Sequence, residues 1–309
     1  MTSQRKRAKL RPVDYAIILF GVVLCGLFVY PVLSKLREVR VDKVKSRCRS
    51  NLAAIGKALS TYANDYDHMP PIAGGPGTRW GPGLANWAAE KRTDAFALDP
   101  NGTGGQATVS SSLYLLVRYT ELAPEFFVCP MEKQTEVFDP RRYGMGDKPL
   151  ADLWDFGPEP ARHCSYAYQM VYAPFRPQSP KSLSMVVAAD RNPWIDSPWS
   201  KAADFSRFRP KHGLFNRNLG NSRAHRGDGQ NRLFLAGHVF GSHCSYATIN
   251  GYHMRSWDEK HELEIVEDDN IYTSWDGQDR QRGIAPKPYV SKPAHEFDSL
   301  VVNDPPLGR

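Results

Sequence analysis

The residues best suited to chemistry lie close together in one stretch: Asn221, His225, Asp228, Gln230, Asn231 and His238. Two imidazoles and a carboxylate can ligate Zn2+. The strict spacings of zinc-binding helices, H-E-x-x-H and H-x-x-E-H, are absent. The competing use is structural, since loop amides and imidazoles can satisfy backbone N–H and C=O groups. The sequence favours that use: a polar network that fixes one loop geometry. No cofactor is expected; His225, Asp228 and His238 are the residual metal candidates. Arg226-Gly227-Asp228, followed by Gly229, reads as a turn.

The second reactive set is the cysteines. Cys25 lies in an apolar run, and Cys48, Cys129, Cys164 and Cys244 lie beyond it. Four thiols in that part suit disulfides in an oxidising compartment. The spacing alone leaves all three pairings open. Cys129 or Cys164 with His225 can be drawn as a nucleophile pair, but Cys129-Pro130 sits in an apolar stretch typical of a buried or bridged cysteine. There is no G-x-S-x-G, no P-loop and no dinucleotide fingerprint. The reading is therefore of a protein that is not an enzyme.

The elements that position these residues begin with a charge asymmetry. The whole chain, 309 residues, has a formal net charge of +7. Residues 1–49 carry twelve Lys and Arg against three acids, and the rest carries 28 basic against 30 acidic residues. The positive charge therefore belongs to one segment, and nucleic acid is not an expected partner. Within that segment, 16–33 holds eighteen residues without a charge, flanked by basic residues, with Tyr15 and Tyr30 near its two ends. The run predicts a membrane-spanning helix over 13–33, with a basic cytoplasmic tail over 1–12 and inner-membrane lipid as a partner. Gly21 and Gly26 would let neighbouring helices approach closely. Charge alone does not fix the orientation, and the even cysteine set places the C-terminal domain outside the cytoplasm. Leu52, Ile55, Leu59, Tyr62 and Tyr66 recur at helical spacing, so the helix is expected to continue as a spine over 34–67 until Pro70-Pro71. Gly56 weakens that helix but opens room for a strand.

The remainder, 68–275, reads as a loop-rich domain. A helix is expected over 110–122 and strands over 126–129, 165–171 and 184–189. A hairpin is expected over 232–240 and one more strand over 243–249. The long segment 73–105, rich in Gly, Pro and Trp, reads as a surface loop. The tryptophans at 80, 87, 154, 194 and 199 are better used in a core than in a binding face. Asp190-Arg191-Asn192-Pro193 reads as a turn, and 276–309 as a loosely held polar tail. The expected fold class is α+β: a long N-terminal transmembrane helix spine packed on a small antiparallel β-sheet.

Three runs carry a resemblance. They are YPVLSKLREVRVDKVKSRCRSNLAAIGKALSTYANDY over 30–66, SSSLYLLVRYTELAPEFFVCP over 110–130 and NSRAHRGDGQNRLFLAGHVF over 221–240. They resemble bacterial type IV pilin-like proteins, in particular the major-pseudopilin relatives of type II secretion. The resemblance implies a pilin-like fold and a structural or assembly role beside copies of itself or other pilin-like subunits. It also implies a bacterial inner-membrane location with a periplasmic domain. It places Pro31 as the helix proline and Asp14, seventeen positions earlier, where the family carries an assembly glutamate. It suggests Cys48 with Cys129, leaving Cys164 with Cys244. Two departures stand out. The residue before the scissile bond would be Lys9, where the family's peptidase needs a small residue, so no processing is expected. Some pseudopilins bind Ca2+ through a C-terminal loop, so the resemblance adds Ca2+ as the candidate ion, but Ala236 stands where the family carries Asp before the hairpin glycine, which lowers the metal reading.

Overall fold

The computed structural model describes residues 12–132, 134–175, 183, 185–210, 218–247, 254–258, 263–267, 269–277, 279, 281–295 and 298–307. Some positions inside helices and strands, Asp14, Gly26 and Pro31 among them, are described by their backbone alone. The tail over 1–11 lies outside the described residues. The helices are α1 (Pro12–Asp65), α2 (Arg92–Ala95) and α3 (Val109–Thr120). The strands are β1 (Arg79–Trp80), β2 (Gln106–Ala107), β3 (Tyr166–Gln169), β4 (Val186–Asp190), β5 (Gln230–Phe234) and β6 (Val239–Ser242). They continue with β7 (Tyr246–Ala247), β8 (Met254–Asp258), β9 (Leu263–Glu267), β10 (Asp269–Asn270) and β11 (Val301–Val302). The chain divides into two compact units, Met1–Ser46 and Arg47–Arg309.

The described part of the first unit is helical throughout. The transmembrane expectation is corrected here: among the described residues no helix is long and apolar enough to cross a membrane. A span needs about 20 consecutive apolar residues. The described side chains of this stretch, such as Val13, Tyr15, Leu19, Phe20, Leu24 and Leu27, make no such run. The single-pass inner-membrane location with a periplasmic domain rested on that span and falls with it. The pilin-like fold class built on an apolar transmembrane spine is corrected for the same reason. Although α1 is long, charges from Lys35 to Arg49 break its apolar character.

In the second unit, the residues of α1 that bury are Cys48, Asn51, Leu52, Ile55, Ala58 and Tyr62. Their spacing of three or four puts them on one face. All but Asn51 join a core cluster with Leu113 and Leu116 of α3, Phe127, Tyr166 and Tyr168 of β3, and Leu233 of β5. The central element is a five-stranded antiparallel sheet in the order β11-β3-β4-β5-β6. Its other face carries a second cluster, with Ala167, Val186, Ala189, Trp194, Phe208, Phe234, Tyr272 and Val301. Strands β3, β4 and β5 are buried along their whole length.

Gly56 performs the role its position suggests. A Cβ there would lie 2.7 Å from Leu233 Cδ1 and 3.3 Å from the Gly237 carbonyl oxygen. The β5–β6 hairpin therefore presses directly on the α1 backbone.

Three local expectations change. Residues 126–129 do not form a strand: Pro124–Phe127 is a 3-10 turn, started by proline at its first positions. The C-terminal segment is not a loose tail throughout. Leu300, Val301 and Val302 are fully buried, and β11 forms the sheet edge beside β3. Within 73–105 the buried side chains of Trp80, Trp87 and Phe96 belong to the main core, so much of that loop is a packed cover.

Candidate functional site

Two segments meet beside α1. Cys48 on α1 is bonded to Cys129, which follows the 3-10 turn, across 81 residues of sequence. Both are fully buried. Asn51 Nδ2, one turn along α1, donates to the Val128 carbonyl at 2.8 Å. The Cys129 N–H donates to Ser165 Oγ at 2.9 Å. The bond therefore sits in a backbone setting fixed on both sides.

His225 lies against this bond. It ends a 3-10 turn, Arg223–His225, whose start is capped by the Ser222 side chain. The chain then turns sharply through Arg226 and Gly227, both at positive φ. At Gly229 (φ 132°) a Cβ would fall 2.1 Å from the Ser242 carbonyl oxygen, so only glycine lets this loop meet β6. The His225 ring is buried, with Nε2 3.6 Å from Cys129 Sγ and Nδ1 3.4 Å from Asp190 Oδ2. Asp190, the last residue of β4, also accepts from the Asn231 N–H at 2.6 Å and from Asn231 Nδ2 at 3.3 Å. Burial pushes the Asp190 carboxyl up to about 7, with the Asn231 hydrogen bonds pulling the other way. Asp190 Oδ1 is buried and accepts no hydrogen bond among the described residues. The result is a line from carboxyl to imidazole to sulfur inside the core.

A buried ion pair flanks the line. Arg191 Nε donates to Glu132 Oε2 at 3.1 Å, and both side chains are almost wholly buried. Thr135 Oγ1 donates to the same oxygen at 3.0 Å. The guanidinium stacks 4.8 Å from the Trp199 ring centre. Burial raises the Glu132 carboxyl, opposed by Arg191. Neither residue was reached from the sequence, where Arg191 reads only as part of a turn. Asn192 does make that turn, accepting from the Trp194 N–H at 2.9 Å, but its amide also donates to the carbonyls of Tyr272 and Val301.

The six residues of the sequence cluster divide in two. Asn221 donates to the carbonyls of Gly227 and His243, each at 2.9 Å. Gln230 accepts from the Ser222 N–H and donates to the Cys244 carbonyl. With His225 and Asn231 they hold the loop before the hairpin. Asp228 is exposed, and its carbonyl lies 3.1 Å from His243 Nδ1. His238 is also exposed, stacked on Phe234 with ring centres 4.4 Å apart. Among the described residues, the cluster whose ligand atoms all come within 4.8 Å of one another is Cys48, Cys129 and His225. Neither Asp228 nor His238 joins it. Cys164 and Cys244 are free thiols, so the second pairing is not formed. Burial pushes the Cys164 thiol up to about 12. Of the residues assigned to assembly, Gly21 lies within α1 with open space where a Cβ would stand. The surroundings of Asp14, Gly26 and Pro31 lie outside the described residues.

Comparison with known proteins brings no match: no family model, no curated protein and no solved structure matches this chain.

Proposed function

We propose that the chain is a pilin- or pseudopilin-like structural or assembly subunit of a type II secretion or related system, not processed by prepilin peptidase. The observation that carries this reading is an apolar row on α1. Phe20, Leu24 and Leu27 are 67%, 37% and 68% exposed, and their spacing puts them on one side of the helix. Large exposed apolar rows of this kind mark association surfaces. The partner that fits is the same helix of another copy, because like rows interdigitate when two helices pack. The loop before the hairpin supports a scaffold role, since the Asn221 and Gln230 amides bond backbone carbonyls and fix one geometry.

Sedimentation of the full-length chain tests this. The chain should self-associate in a concentration-dependent way, and the triple variant Phe20→Asp, Leu24→Asp, Leu27→Asp should sediment as a monomer. A wild-type chain that stays monomeric, or a variant that associates as well as wild type, overturns the reading. The intact mass of the protein expressed in a bacterium with prepilin peptidase tests processing: a terminus at Met1 or Thr2 is expected, and one at Leu10 is the contrary result.

A further inference from the structure

We propose that the reduced chain is a metal site for a thiophilic divalent ion of the Zn2+ class, held by Cys48, Cys129 and His225 and oriented by Asp190. The donor set is soft and borderline, two sulfurs and an imidazole, which suits Zn2+ and excludes Ca2+ or Mg2+ as favoured ions. The geometry is already close. Zn–S bonds of about 2.3 Å and Zn–N bonds of about 2.0 Å at tetrahedral angles put neighbouring S and N ligands about 3.5 Å apart. Cys129 Sγ and His225 Nε2 stand 3.6 Å apart. All three ligand atoms lie within 4.8 Å of one another.

The surroundings match what a ligating histidine needs. His225 presents Nδ1 to the Asp190 carboxylate and Nε2 to sulfur. That is the arrangement in which a carboxylate fixes the ring and raises its basicity toward a metal. Asp190 Oδ1, buried and accepting no hydrogen bond among the described residues, is a carboxylate oxygen held beside this ring. Three protein ligands leave a fourth position for water.

The site opens by a balanced exchange. A dithiol reductant supplies two electrons and two protons to the Cys48–Cys129 bond and leaves as its own disulfide. The S–S bond breaks and two thiols form. The divalent ion then displaces both thiol protons, which pass to solvent, and the freed sulfurs part to about 3.8 Å to span it. Oxidation by a disulfide reverses the sequence and releases the ion. The structural cross-link and the metal site are thus alternative states of the same two sulfurs.

Co2+ titration of the full chain under anaerobic conditions, before and after dithiol reduction, reads the site directly. The reduced chain should take up one Co2+ with thiolate-to-cobalt charge-transfer absorption, and the oxidised chain should show none. A Cys164→Ser, Cys244→Ser variant should bind as wild type does. His225→Ala should weaken binding at least tenfold, and Asp190→Asn by about 10- to 100-fold, with far-UV circular dichroism of each reduced variant recorded alongside. If His225→Ala fails to fold, Asp190→Asn decides: unchanged affinity overturns the proposal. So does a reduced wild-type chain without the absorption, whether folded or unfolded, or a signal that disappears with Cys164 and Cys244.

Discussion

The indole Nε1 of Trp80 donates to Oδ1 of Asp304 at 2.7 Å, joining residues 224 positions apart in the chain. The same carboxylate accepts from the N–H groups of Val109 and Ser110 at 3.0 and 2.7 Å. These are among the first N–H groups of α3, which have no partner within the helix. A negative group there is also favoured by the helix dipole. Asp304→Ala strands three buried donors at once. The expected loss is about 2–5 kcal/mol of stability, from roughly 1–3 kcal/mol for each unsatisfied group with partial relaxation. Urea denaturation followed by tryptophan fluorescence measures it.

Gly56→Ala sets two effects against each other. Alanine favours the helix by about 1 kcal/mol. Its Cβ, however, would meet Leu233 Cδ1 at 2.7 Å and the Gly237 carbonyl oxygen at 3.3 Å. The side chain can shift, but the hairpin backbone is held by the sheet. Overpacking costs roughly 1–3 kcal/mol, so the variant should be less stable than wild type. A denaturation midpoint equal to or above wild type would show that the hairpin gives way freely.

The buried pair Glu132–Arg191 should behave asymmetrically. Arg191→Met leaves a buried carboxyl without its cation and should cost about 3–5 kcal/mol. Adding Glu132→Leu should return much of that loss, because two apolar groups replace two charges that must otherwise be stripped of water. A double variant as unstable as the single one would refute the account. Equilibrium unfolding of the four proteins completes the cycle.

His163 should make the fold sensitive to acid. Its ring lies between the Tyr143 hydroxyl at 2.7 Å and the Glu136 carbonyl at 3.0 Å. Burial, with Arg142 nearby, lowers it from 6.5 to about 4. The sign follows from which state takes the proton first. Between pH 6.5 and 4 the unfolded chain binds a proton that the folded chain does not. This contribution is therefore intact above pH 6.5 and is lost as pH falls toward 4, by up to about 1.4 kcal/mol per pH unit. His163→Gln should flatten the urea midpoint over that interval relative to wild type. Parallel slopes for the two proteins would show that His163 does not titrate in this way.

Much of the sheet was legible because its local signals agree with its packing. The 165–171 stretch, the valine-rich 184–189 stretch and the Ala236-Gly237 turn all mark elements that form close by. Helical spacing likewise found the buried face of α1 at Leu52 and Ile55. The failures have physical causes. The eighteen-residue uncharged run led to a span that the described residues do not provide. Residues 126–129 look strand-like, yet Pro124 starts a tight turn there instead. The segment 298–304 is polar by count, but Asp298, Ser299, Asn303 and Asp304 are all buried, and composition does not reveal partners far away in the chain. The candidate site was visible by halves. His225 stood out within its loop. Asp190 did not, because its role depends on β4 and β5 lying side by side and not on any neighbour in sequence.

The position of β11 has a consequence for synthesis. A ribosome makes α1 before β3, and β11 long after both. Until residues 301–304 emerge, β3 lacks its edge partner and the start of α3 lacks its carboxylate. The nascent chain thus holds Leu52, Ile55 and the β3 tyrosines in wait for a strand translated more than 130 residues after β3. Closure of this core waits for residues 301–304, and a chaperone that covers apolar surface on the growing chain would act throughout that interval.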